Sequence, residues 1–123
     1  MGSVSMMTTA HSEICYEILN NLSEDLRRPK WRFNKNWLAG HCYVASEVAY
    51  HLTGGRLVWK PMVVRHEGGT HWYLQNRFDG DVLDLTASQF YTKIPYHKGR
   101  GCGFLTKGPS KRARKLIERI NAI

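Results

Sequence analysis

Apolar residues recur at helical spacing in three stretches of the chain, and at strand spacing between the second and the third. Over residues 12–28, Cys15, Leu19, Leu22 and Leu26 share one face, with Ile14 and Ile18 beside them, which predicts a helix. Ser12 is its expected N-cap and Pro29 its stop. An irregular aromatic stretch, 30–40, leads to a second predicted helix over 41–53, where Cys42, Ala45, Ala49 and Leu52 align and Gly54-Gly55 ends the element. The period then changes. Val- and Trp-rich residues 57–65 read as a strand, with Pro61 pointing to an edge or a bulge, and 70–77 and 81–86 read as two more. Gly68-Gly69 and Phe78-Asp79-Gly80 are the turns between them. Residues 87–91 read as a short helical turn, and 92–108, with Pro95 and four glycines, as a long loop with room for one short strand. The last helix is expected over 109–122, aligning Ala113, Leu116, Ile117 and Ile120. Helices, an antiparallel meander and a closing helix make an α+β fold.

Length and composition narrow this picture without changing it. A chain of 123 residues that is 42% hydrophobic has material for one core, so residues 1–123 are read as a single domain with 1–11 as a flexible N-terminus. No apolar run reaches membrane-spanning length, and no secretion signal is expected. Three widely spaced cysteines do not form a disulfide framework, which favours a reducing, cytoplasmic setting.

Charge adds a second signal. The formal net charge of +8 is uneven: residues 1–84 hold 9 basic and 9 acidic side chains, and the excess follows in 85–117, which has no acid. Lys98, Arg100, Lys111, Arg112, Arg114 and Lys115 are its candidate anion-binding residues. Four of them sit in the first turns of the last helix, where cations oppose the helix dipole and free amides attract anions. This distribution points to an acidic protein, a peptide or another anionic substrate, with nucleic acid also admitted.

Three residues carry candidate chemistry. Cys42 opens a helix, where unpaired amides favour a thiolate; His71 on the second strand is a candidate base, and Asp84 on the third a candidate orienting carboxylate. Reflected about a tight turn at 79–80, position 84 falls near 75, so His71 and Asp84 are not directly opposed unless a bulge or a longer loop shifts them.

Gly40-His41-Cys42, Thr70-His71-Trp72 and Asp84-Leu85-Thr86, in that order, resemble the transglutaminase-like branch of the papain-like cysteine enzymes. The resemblance covers residues 40–86. It implies a compact papain-like domain, with a Cys-bearing helix packed on a short antiparallel sheet and a basic C-terminal helix. It also implies a nucleophile at Cys42, a general base at His71 and an orienting carboxylate at Asp84. Asn34, Asn36 and Trp37 stand where such enzymes often place an oxyanion-binding residue, and the Cys42 amide is a further donor. The block from Gly99 to Thr106, with Pro109-Ser110, is similar to small uncharacterised bacterial and phage proteins and implies no activity.

Other assignments compete with this one. His41, Cys42, His66, His71 and Cys102 include zinc-type donors but lack a ligand spacing, so no metal and no cofactor is expected. The glycine-rich run from Lys98 to Lys107 has the composition of a phosphate cradle without the Gly-Lys-Ser/Thr of a nucleotide-binding loop. The expected function is cysteine-dependent acyl transfer on an amide, as peptidase, amidase, deamidase or transamidase. The alternative is a non-catalytic binding protein that engages nucleic acid or an acidic partner through residues 93–115.

Overall fold

The computed structural model describes residues 9–27 and 40–122. Among these it is a small α+β domain with three α-helices and one four-stranded antiparallel sheet. Helix α1 spans Thr9–Asn20, α2 spans Cys42–Leu52 and α3 spans Lys111–Asn121. The strands are β1 (Trp59–His66), β2 (Gly69–Asn76), β3 (Val82–Leu83) and β4 (Arg100–Gly101), in the order β3-β2-β1-β4. No described helix is long and apolar enough to cross a membrane.

Several boundaries differ from the periodicity. Helix α1 starts at Thr9, so residues 9–11 are helical and the helix begins three residues before Ser12. It stops at Asn20, and Leu26 reaches the core through a separate 3-10 turn, Glu24–Leu26. Ser23 in extended backbone separates the two pieces, and the Asn21 side chain takes up the Glu17 carbonyl at 2.8 Å. Pro61 does not mark an edge, because β1 lies between β2 and β4. Its carbonyl accepts from the Cys102 amide at 3.0 Å, so its missing N–H lies on the side of β4. There the ladder is only two residues long, and the long ladder to β2 is spared.

Two apolar layers follow from strand alternation. Trp59 and Leu74 face the helices and join Ile18 and Leu22 of the N-terminal region, Val48 of α2 and Leu116 of α3 in the main core. Each such side chain contributes about 1.5–3 kcal/mol on burial. The opposite face carries Met62, Val64 and Tyr73, covered by Val82, Ile94 and Tyr96. His71 pairs with Val64 and lies on this second face, two residues from Tyr73.

Candidate active site

The hairpin between β2 and β3 sets the carboxylate. Asn76 and Asp81 close a four-residue loop: the Asn76 amide donates to the Asp81 carbonyl at 2.8 Å, and the Asn76 side chain accepts from the amides of Phe78 and Asp79. The register is therefore Leu74↔Leu83 and Gln75↔Val82, two positions from that of a tight turn at 79–80. Continued by one residue it sets Asp84 across from Tyr73, diagonal to His71 and on the same face. His71 Nε2–H donates to Asp84 Oδ2 at 2.6 Å, and both side chains are buried, at 1% and 4% exposure.

Cys42 reaches the imidazole past an open edge. Strand β3 pairs only with Leu74 and Gln75, so among the described residues the earlier part of β2 has no strand partner on that side. Helix α2 runs along this gap, and the Ser46 hydroxyl donates to the Trp72 carbonyl at 3.2 Å. Cys42 is one turn before Ser46 and shares its helix face. Gly40, at φ 82°, turns the chain into the helix, and the buried His41 ring is anchored on the Ser23 carbonyl at 3.0 Å. The helical ladder begins with the Ala45 amide on the His41 carbonyl, and the His41 side chain makes no cap bond. The amides before Ala45, including that of Cys42, thus lie outside the ladder.

Burial by itself lowers the pKa of His71. The hydrogen bond that His71 donates to Asp84, the neighbouring Cys42 and the charges of both outweigh it and raise it to about 9. With Nε2 committed to Asp84, the nitrogen left to face a thiol is Nδ1, which is buried and has no hydrogen-bond partner among the described residues. Phe90 packs edge-on against the imidazole, with ring centroids 4.7 Å apart.

Two residues that the sequence did not single out complete the surroundings. The Tyr96 hydroxyl donates to the same Asp84 oxygen at 2.7 Å; burial and this bond raise its pKa above the tyrosine range. No spacing in the loop foretells this contact. Glu47, fully buried in α2, receives the Ser110 amide and the Ser110 hydroxyl at 2.7 Å each. Its signal was present: an acid within the apolar run from Val44 to Ala49 needs a buried partner. The Ser110 oxygen in turn accepts from the Ala113 amide, capping α3. An internal carboxylate thus stands beside the start of α3, holding the amide and the hydroxyl of its N-cap residue.

Cys42 and His71 line one cleft of about 890 Å³. Of the six candidate anion-binding residues, Lys111, Arg112 and Lys115 line it too, and Arg65 joins them from β1. Lys115 is paired with Asp25 at 3.3 Å, and Arg114 donates to the Pro109 carbonyl. Lys98 and Arg100 do not line this cleft; Arg100 lies on β4 at the far edge of the sheet. Asn34, Asn36 and Trp37 lie outside the described residues. Cys15 is buried in the core, and burial raises its thiol pKa to about 11. No group of three or more His, Cys, Asp or Glu side chains among the described residues is arranged to hold a metal ion. His66, one of the zinc-type donors, instead contacts the Thr92 carbonyl at 3.2 Å.

Comparison of the chain with curated proteins and with solved structures returns no match. The family model described as YunG protein matches residues 13–119, a span that takes in Cys42, His71, Asp84, Tyr96 and the Glu47–Ser110 pair, and the chain belongs to that family.

Proposed function

We propose that this protein is a cysteine-dependent acyl-transfer enzyme acting on an amide, built on a small papain-like, transglutaminase-like domain. One observation supports the reading: a single buried imidazole gives Nε2 to Asp84 at 2.6 Å and keeps a buried, unpartnered Nδ1, beside Cys42 at the wall of the same cleft. A structural histidine needs one satisfied partner; a thiol at a helix start beside the second nitrogen adds a nucleophile.

In the proposed reaction His71 holds the proton shared with Cys42, and the sulfur attacks the amide carbonyl carbon. The carbonyl electron pair moves to oxygen, where helix-start amides, including that of Cys42, stabilise it. Collapse of the intermediate breaks the carbon–nitrogen bond, and the leaving amine takes the proton from His71. Water or a second amine then attacks the thioester and gives a proton to His71, and the Cys42 sulfur leaves. Asp84 keeps the ring oriented and its Nε2 protonated.

The test is alkylation by iodoacetamide at neutral pH with site-by-site mass spectrometry. Cys42 reacts at least about tenfold faster than Cys102, and His71→Ala removes the difference. Equal rates at Cys42 and Cys102 in the parent protein end the proposal.

A further inference from the structure

A second pocket, of about 940 Å³, is lined by Arg56, Lys60, Arg77 and Lys107 and by no acidic residue. Neither Cys42 nor His71 belongs to it. The four cations come from four places: the turn after α2, β1, the β2–β3 loop and the glycine-rich run. None of them makes an ion pair among the described residues. Residues 1–8 and 28–39 contain no Asp or Glu, so no acidic side chain elsewhere in the chain is in reserve to neutralise them.

The pocket also shows construction. Gly101 lies under the Lys60 side chain: a Cβ there would stand 2.6 Å from Lys60 Cε, so glycine on β4 is what lets the lysine cross the strand. The Arg77 Nε is held by the Trp59 carbonyl at 3.1 Å, which fixes the guanidinium and leaves its terminal nitrogens for a ligand. Phe104 and Tyr50 form an aromatic wall, with ring centroids 5.3 Å apart.

We propose that this pocket is an anion site for a phosphate-bearing ligand, separate from the Cys42 cleft. Four unpaired cations converging on one concavity suit a group of at least two negative charges, which phosphate supplies and a single carboxylate does not. Lys107 and Gly101–Gly103, the end of the glycine-rich run, form its floor and rim, so that run finds a role through tertiary neighbours and not through a nucleotide-binding loop. The phosphate belongs either to a small phosphorylated compound or to a nucleic-acid strand.

Two probes separate these sources: inorganic pyrophosphate, and a mixed-sequence single-stranded oligonucleotide of about 12 nucleotides. At least one binds, with Kd between about 1 and 100 µM at low salt. Pyrophosphate binding identifies a small phosphorylated ligand. Oligonucleotide binding alone, with a log–log salt slope near −3 at about −0.7 per neutralised phosphate, identifies a strand. The triple variant Arg56→Ala, Lys60→Ala, Lys107→Ala changes three exposed side chains and weakens binding at least about tenfold. In the parent protein, saturating probe slows Cys102 alkylation about tenfold at ten times Kd, a readout that needs no variant and no activity at Cys42. Failure of both probes to bind overturns the proposal. So does undiminished binding by the triple variant, which would move the site to α3, and so does unchanged Cys102 labelling at saturation.

Discussion

Glu47 of α2 and Ser110 at the start of α3 are joined by two 2.7 Å hydrogen bonds, amide and hydroxyl each to its own carboxylate oxygen. The helix that begins with Cys42 is thereby tied to the helix whose first turn brings Lys111, Arg112 and Lys115 to the same cleft. Helix α3 carries no acid in its first turn, and this buried carboxylate takes that place from another element.

Replacing Ser110 by Ala removes the α3 cap and leaves Glu47 short of one donor. The expected loss is about 1–3 kcal/mol in urea unfolding. Glu47→Ala costs more than Glu47→Gln, because the amide keeps an acceptor for the Ser110 N–H. Equal losses for the two Glu47 variants would show that the carboxylate does not hold α3 through these bonds.

The pairing of His71 and Asp84 makes stability depend on pH. A histidine held at about 9 when folded, against an ordinary value of 6.5 when unfolded, contributes its full stabilisation below 6.5 and loses it as pH rises through 9. The pair therefore contributes up to about 3 kcal/mol at pH 6 that is absent at pH 10. Urea unfolding of the parent across this range shows the decline, and Asp84→Asn flattens it.

Tyr96 is a positioning residue for Asp84. Tyr96→Phe removes one donor from Oδ2 at a cost of about 1–2 kcal/mol. The remaining carboxylate accepts more strongly from His71, so the imidazole titrates at higher pH than in the parent. An NMR titration of His71 measures this directly; an unchanged midpoint would leave the tyrosine a packing role only.

Cys15 lies in the main core with its pKa raised to about 11. It resists alkylation at neutral pH in the folded protein and reacts on unfolding, so its labelling rate against urea reports opening of the α1 core. Labelling of Cys15 as fast as Cys102 without denaturant would contradict its burial.

The elements were legible where a single period runs long enough. Helix α2 and the last helix follow their apolar spacing to within a residue or two, and β1 and β2 follow theirs. Prediction was poorer at α1, where Leu22 and Leu26 keep the helical phase but reach the core after the helix has ended, one beyond its last turn and one in a 3-10 turn. A core position depends on where a side chain arrives, and periodicity does not distinguish two routes to it. The residue types at 42, 71 and 84 were visible as a constellation, whereas their geometry depended on a loop length that a Phe-Asp-Gly signal leaves open.

Local sequence thus determined which segments are helix or strand, that the fold is α+β, and which thiol, imidazole and carboxylate are candidates for chemistry. Those properties depend on neighbours within a turn or a strand pair. Tertiary structure alone decided the two-residue shift that makes Asp84 diagonal to His71, the packing of the Cys42 helix along β2, and the Tyr96 and Glu47 contacts. It also redistributed the charge. Arg56, Lys60 and Arg77 belong to the electrically neutral first 84 residues, yet they converge with Lys107 in a pocket without acids. Charge counted along a chain sums over sequence, while the field at a site sums over distance, and only folding relates the two.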